Sequence, residues 1–229
     1  MKKVGLIGGI GPASTLDYYM GIINGYMRKT KDINYPEIVI YSVNMTEMIS
    51  NIEKDSWDKV IIQLTQAIKN LSVAGAEFAA IASNTPHLVF DEVKKQSPLP
   101  IISIVEETCK HIKEAQYQSA LTIGTLFTMK SGLYSNPLKK YGIASLLPSE
   151  NDQKEIYSIF YPNLENGIVI AEDKEKMLKI VSRIIKEQNA DSLILGCTEF
   201  PLMIKQEDLT TPVINTTQIH IDSIVNYMI

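Results

Sequence analysis

Only two of the 229 residues are cysteine, Cys109 and Cys197, so at most one disulfide can form and no cysteine framework can substitute for a hydrophobic core. The three histidines, His87, His111 and His220, are too scattered for metal-ligand spacing, and no cysteine pair joins them; no metal site is expected. Charge of neither sign dominates: 22 basic and 26 acidic residues give a net charge of −4. Without a basic stripe to neutralise a phosphate backbone, nucleic acid is excluded as an expected partner. No apolar run approaches the roughly 20 residues that span a bilayer, and Met1-Lys2-Lys3 leads into an apolar stretch too short for a signal segment. The expectation is a cytoplasmic protein with no membrane partner and both thiols reduced.

What is present is an alternation of short apolar runs and amphipathic stretches. Lys3 to Ile7 reads as a strand, Gly8-Gly9-Ile10-Gly11-Pro12 as a tight loop, and Ser14 to Lys29 as a helix with Leu16, Tyr19, Met20 and Ile23 at helical spacing. Glu37 to Val43 reads as a second, buried strand. Asp55 to Ala74 reads as a helix with Val60, Leu64, Ile68 and Leu71 on its apolar face. A third strand, Phe78 to Ala82, stops at Ser83-Asn84-Thr85-Pro86, where capping residue types and a proline announce a helix from Pro86 to Lys95. Pro100 to Ile104 starts the next strand.

The second half repeats this grammar: Ala120 to Ile123 ends at Gly124-Thr125, Ser192 to Gly196 ends at Cys197-Thr198, and Pro212 to Asn215 leads into the last helix. Gly8 matches Gly124 at an offset of 116, Ser83 matches Cys197 at 114, and Pro100 matches Pro212 at 112. Three matched strand ends at nearly one spacing indicate a duplicated unit. The predicted fold class is α/β: two pseudo-symmetric lobes, each a mainly parallel sheet flanked by helices. Residues 1–99 plus 212–229 form the expected N-terminal lobe and residues 100–211 the C-terminal lobe.

Parallel sheets bind ligands beyond the carboxyl ends of their strands. The polar turns lie there, so Gly8-Gly9, Ser83-Asn84-Thr85, Gly124-Thr125 and Cys197-Thr198 are expected to meet in an inter-lobe cleft, with Ser83 and Cys197 on opposite sides of its occupant. Cys197 follows a glycine and is read as opening a helix, where backbone N–H groups and the helix dipole lower a thiol pKa of about 8.5. Packing is the alternative use of any free cysteine; Cys109, inside the helical stretch Ile104 to Ala115, is read that way. Asn84, Thr85 and Thr198 suit a carboxylate at a helix start, a use compatible with plain N-capping. His220, after Asn215-Thr216-Thr217, is a further candidate for the cleft. Gly8-Gly9-Ile10-Gly11 lacks the spacing of a dinucleotide loop, and no phosphate-loop lysine follows, so no nucleotide cofactor is expected.

Leu195-Gly196-Cys197-Thr198-Glu199-Phe200-Pro201 resembles the second signature of the aspartate/glutamate racemase family, and Ile7 to Thr15 resembles its opening loop. Ala82-Ser83-Asn84-Thr85-Pro86-His87 resembles the first signature, in which a cysteine usually precedes Asn-Thr. Pro212 to Thr216 and Ile219-His220 also fit, so the resemblance runs the length of the chain. It implies a homodimeric racemase without cofactor or metal, in which two thiols flank the α-carbon of an amino acid or dicarboxylate. One removes a proton while the other delivers one to the opposite face. The implied catalytic pair is Cys197 and Ser83, and the implied substrate-binding set is Gly9, Ile10, Asn84, Thr85, Thr125, Thr198 and His220.

Ser83 departs from the family. A hydroxyl has too high a pKa to share proton transfer at neutral pH without a neighbouring base. Three readings follow: a racemase that is one-sided or impaired, a single-cysteine lyase of the arylmalonate decarboxylase type, or a catalytically silent carboxylate-binding homologue. The racemase leads, with aspartate or glutamate as substrate by family. The segments where basic residues would hold a side-chain carboxylate, Asn44 to Met48 and Pro162 to Gly167, contain neither lysine nor arginine.

Overall fold

The computed structural model describes residues 1–31 and 34–229. The chain divides into two compact units, Met1–Glu107 with Thr217–Ile229, and Thr108–Thr216. The first contains β1 (Val4–Gly8), α1 (Pro12–Thr30), β2 (Ile38–Ser42), α2 (Met45–Glu53), α3 (Trp57–Val73), β3 (Phe78–Ile81), α4 (Phe90–Gln96) and β4 (Ile101–Ile102). Helix α5 (Ile104–Glu114) leads into the second unit, which holds β5 (Ser119–Ile123), α6 (Leu126–Lys130), α7 (Ser135–Lys140), β6 (Ala144–Leu146), α8 (Glu150–Phe160), α9 (Ala171–Gln188), β7 (Leu193–Leu195), α10 (Phe200–Met203) and β8 (Val213–Asn215). Helix α11 (Thr216–Met228) then returns to the first unit.

Both sheets are parallel and share one strand order, β2-β1-β3-β4 in the first and β6-β5-β7-β8 in the second. The repeat reaches individual carboxylates. Glu77 accepts a hydrogen bond from the Lys3 N–H at 2.7 Å, and its sequence counterpart Asp191 accepts from the N–H groups of Gln118 and Ser119 at 2.7 and 2.9 Å. In each unit an acid just before the third strand thus closes the entry to the first strand.

Strand pairing moves the expected boundaries. The lobe border placed after residue 99 falls after Glu107, because Ile101 and Ile102 pair with Ala79 and Ala80 in the first sheet. The border placed before residue 212 falls after Thr216, because Val213 to Asn215 pair with Leu193 to Leu195 in the second.

Helix α3 buries Val60, Leu64, Ile68 and Leu71, the face its periodicity marked. Helix α1 follows its expected face only at Ile23, which is buried. Leu16 is 66% exposed and Tyr19 and Met20 also face outward, while Tyr18, Ile22 and Tyr26 enter the core with Ile221, Ile224 and Val225 of α11. At Gly21 a Cβ would stand 2.6 Å from Ile221 Cδ1, so any larger residue requires the Ile221 side chain to shift. Strand β2 was expected to be buried, yet it lies at the sheet edge with Ile40 40% and Tyr41 38% exposed. Apolar composition alone does not separate an edge strand from a central one. The expected helix from Pro86 divides into a 3₁₀ turn, Thr85–Val89, followed by α4.

In the second unit, Phe160 and Phe200 stack at 5.6 Å within a core that also holds Leu121, Ile180, Val181 and Leu195. Phe200 anchors the one-turn helix α10 and thereby the loop before it. Among the described residues no helix is long and apolar enough to cross a membrane.

Candidate active site

Ser83 and Cys197 hold the same topological address. Each lies two residues beyond the carboxyl end of the third strand of its sheet, β3 ending at Ile81 and β7 at Leu195.

Around Ser83 the loops of the first unit are fixed from two directions. The hydroxyl of Ser14, at the start of α1, donates to the Ala82 carbonyl at 3.0 Å. Nδ1 of buried His87 donates to the Ser83 carbonyl at 2.9 Å, and its Nε2 accepts from the Ile104 N–H at 3.2 Å. Both nitrogens of His87 are therefore committed, and neither bonds the Ser83 hydroxyl. Burial, reinforced by repulsion from His220, pushes the His87 pKa down to about 3, so the ring is neutral at pH 7.

His220 was expected at the cleft. It is fully buried in the first unit: Nδ1 accepts from the Tyr18 hydroxyl at 2.8 Å and Nε2 donates to the Ile102 carbonyl at 3.0 Å. Burial lowers its pKa to about 4. With both nitrogens engaged, its geometry is that of a neutral strut between α1, β4 and α11, not of a substrate ligand.

Gly9 has φ +83°, and a Cβ there would come within 2.6 Å of the Val43 carbonyl oxygen, so the turn after β1 requires glycine. Its N–H donates to Thr15 Oγ1 at 2.8 Å, and half-buried Ile10 follows it. Asn84 is buried and makes no side-chain capping bond, contrary to the N-cap reading. Its carbonyl instead accepts from the His87 N–H at 3.0 Å, and Thr85, half-buried, begins the 3₁₀ turn. In the second unit Thr125 does cap: its Oγ1 accepts from the Thr128 N–H of α6 at 3.2 Å.

Cys197 differs from the sequence reading in two respects. It does not open a helix, since α10 begins at Phe200 with Glu199 as the residue before it. Four residues carry little macrodipole. Nor is its pKa lowered. Cys197 is 9% exposed, and burial drives its pKa well above the usual thiol value. The Glu199 carboxylate raises it further, while the N–H groups of Glu199 and Thr198 pull the other way. The thiol donates to Glu199 Oε2 at 2.8 Å, so Cys197 rests as a thiol, not as a thiolate. Thr198 between them is half-buried.

The family model for Asp/Glu/hydantoin racemases matches residues 7–224. The chain belongs to this family. It is 27% identical over 225 residues to the broad specificity amino-acid racemase RacX of Bacillus subtilis, covering 93% of this chain and 92% of that protein. The structure superposes on that of a candidate Asp/Glu racemase from Yersinia pestis with a TM-score of 0.92 and 30% identity, covering 100% of this chain and 99% of that one. An aspartate racemase homologue from Pyrococcus horikoshii gives a TM-score of 0.88 at 34% identity, again covering 100% and 99%. The chain is thus an enzyme of the racemase type, with the two-sheet α/β fold of its family.

Two residues bonded to the expected catalytic positions, one in each unit, were absent from the expected site set. Glu199 stands inside the second signature, and its spacing of two from Cys197 in a turn was the available signal. His87 closes the stretch that resembles the first signature, but its bond to a main-chain N–H 17 residues away could not be read from the sequence. Among the described residues no group of three or more His, Cys, Asp or Glu side chains is arranged to hold a metal ion.

Proposed function

We propose that this racemase acts on a free acidic amino acid, aspartate or glutamate, by α-proton transfer at Cys197, with Ser83 as a weak counterpart on the other face of the α-carbon. Membership of the family supports the reaction class. The equivalent addresses of Ser83 and Cys197, past the third strands of two sheets of one order, support the pairing. The observation that carries the role of Cys197 is its thiol hydrogen-bonded to a carboxylate 2.8 Å away.

The arrangement makes the two faces unequal. The Cys197 sulfur has a carboxylate oxygen 2.8 Å away, whereas the Ser83 hydroxyl has no imidazole on it, His87 being committed to main-chain groups. The enzyme therefore exchanges the α-proton of one enantiomer faster than it converts that enantiomer to its mirror image. In this proposal Gly9, Ile10, Asn84, Thr85, Thr125 and Thr198, all on loops at strand carboxyl ends, hold the substrate, and the α-carboxylate sits against their N–H and hydroxyl groups. His220 acts only through the position of β4. The exposed Leu16, Tyr19 and Met20 of α1 offer apolar surface to a second copy in the proposed homodimer.

The test is solvent deuterium incorporation at the α-carbon, run with both enantiomers of each common amino acid. Exchange confined to acidic amino acids supports the reading. No exchange with any of them overturns it, and release of carbon dioxide from substituted malonates would move the chain to the lyases.

A further inference from the structure

We infer that Ser14 and Thr128 are a matched pair of positioning residues, each holding the residue directly ahead of one of the two that flank the α-carbon. The inference rests on the reading of Ser83 and Cys197 as those two residues and goes beyond it by naming what fixes each of them within its own unit.

The residue ahead of each position is held at both its main-chain groups, in the same way in both units. In the first unit the Ala82 N–H donates to the Ile7 carbonyl of β1 at 2.9 Å, and the Ala82 carbonyl accepts from the Ser14 hydroxyl at 3.0 Å. In the second the Gly196 N–H donates to the Ile123 carbonyl of β5 at 2.8 Å, and the Gly196 carbonyl accepts from the Thr128 hydroxyl at 3.5 Å, a longer contact. Ser14 is the third residue of α1 and Thr128 the third of α6, the helices that follow the first strand of each sheet. Thr128 follows Ser14 by the same 114 residues that separate Cys197 from Ser83. Donor, held carbonyl and positioned residue thus repeat at one offset.

Both hydroxyls are buried, where a polar group needs a partner. Thr15, beside Ser14, donates to the Gly11 carbonyl one turn back at 3.0 Å, the ordinary use of a hydroxyl on a helix. Ser14 and Thr128 reach across to a strand end instead. The side chains are fitted as well: Thr128 carries the methyl group that Ser14 lacks, and Gly196 lacks the Cβ that Ala82 carries. A Cβ at Gly196 would stand 3.0 Å from Thr128 Cγ2. Each held carbonyl shares a planar peptide group with the N–H of Ser83 or Cys197, so fixing it fixes the Cα from which the hydroxyl or thiol extends. Proton transfer at carbon is sensitive to that placement, since a shift of about 1 Å costs on the order of 100-fold in rate.

The test uses the full-length chain with Ser14→Ala, Thr128→Val and Thr128→Ser, each assayed for α-deuterium exchange and for racemisation over a range of substrate concentrations. Ser14→Ala is expected to lower the ratio of racemisation to exchange on the order of 10-fold, while exchange at Cys197 continues. Thr128→Val should slow exchange itself on the order of 10-fold with KM nearly unchanged, because Thr125 still accepts from the main-chain N–H at position 128. Thr128→Ser keeps the hydroxyl and should exchange faster than Thr128→Val. Hydroxyls that only stabilised their units would leave both rates at the wild-type values in the folded variants, or lower the two together, and either result overturns the inference. Crystal structures give a readout independent of activity. With each unit superposed on itself, the Cα of Ser83 in Ser14→Ala and of Cys197 in Thr128→Val should move by about 0.5 Å or more. A Cα that stays in place in either variant overturns the inference. If the wild-type protein exchanges no amino acid, the reading of Ser83 and Cys197 fails on its own, and the crystal structures alone then decide whether Ser14 and Thr128 hold them.

Discussion

The Ser83 carbonyl and the Ile104 N–H are joined through a single imidazole, that of His87, at 2.9 and 3.2 Å. The ring ties the end of β3 to the start of α5 and leaves the Ser83 hydroxyl out of the bond. His87→Ala removes two hydrogen bonds to main-chain groups in a buried setting. It is expected to lower stability by roughly 2–4 kcal/mol, seen as a drop in the urea midpoint at unchanged slope. Loss of activity should follow from displacement of Ser83, not from loss of a base.

Acid should unfold the first unit through the same two histidines. His87 and His220 have folded pKa values of about 3 and about 4, against about 6.5 in the unfolded chain. Above pH 6.5 both are neutral in either state and the effect vanishes. As pH falls below 6.5 the unfolded chain takes up protons that the folded one refuses. Stability then declines by up to about 1.4 kcal/mol per pH unit for each ring, until the folded values are reached. Urea midpoints measured between pH 7 and pH 4 check this, and Tyr18→Phe, which removes the hydroxyl bonded to His220 Nδ1, should lower stability at pH 7 by about 1 kcal/mol.

The strand and helix alternation and the duplicated unit were legible in the sequence because they follow from periodicity and from turns at a repeated offset, as at Gly8 and Gly124. The matching strand-end positions of Ser83 and Cys197 were legible because both follow the same apolar run at a repeated offset. Misreadings arose where a tertiary partner decides. The packed face of α1 is set by the α11 side chains Ile221, Ile224 and Val225 that cover it, and the edge position of β2 by strand order. The thiol chemistry inverted for a related reason: Gly-Cys-Thr-Glu read as a helix start, whereas the acid within it turns back onto the sulfur.

Gly9 offers a direct check on the opening loop. Its φ of +83° disfavours any L side chain, and the Val43 carbonyl oxygen would lie 2.6 Å from a Cβ at this position, which leaves no room for even a methyl group. Gly9→Ala should destabilise the protein by about 2 kcal/mol or more, measured by urea unfolding, and should weaken substrate affinity more than Ala13→Gly at the start of α1.

Ser83→Cys supplies the missing second thiol. It is expected to raise the ratio of racemisation to α-exchange by on the order of 100-fold, the usual scale of a positioned acid or base. Circular dichroism of the amino acid followed beside mass spectrometry of its deuterium content gives that ratio. A variant that exchanges and racemises as the wild type does would remove Ser83 from the reaction.

The central claim is that proton transfer at the α-carbon passes through Cys197. Its most direct measurement is deuterium incorporation into each enantiomer of aspartate and glutamate by the wild-type protein and by Cys197→Ala. The account predicts incorporation by the wild type, faster for one enantiomer, and none above background for Cys197→Ala. Undiminished incorporation without the thiol would contradict it.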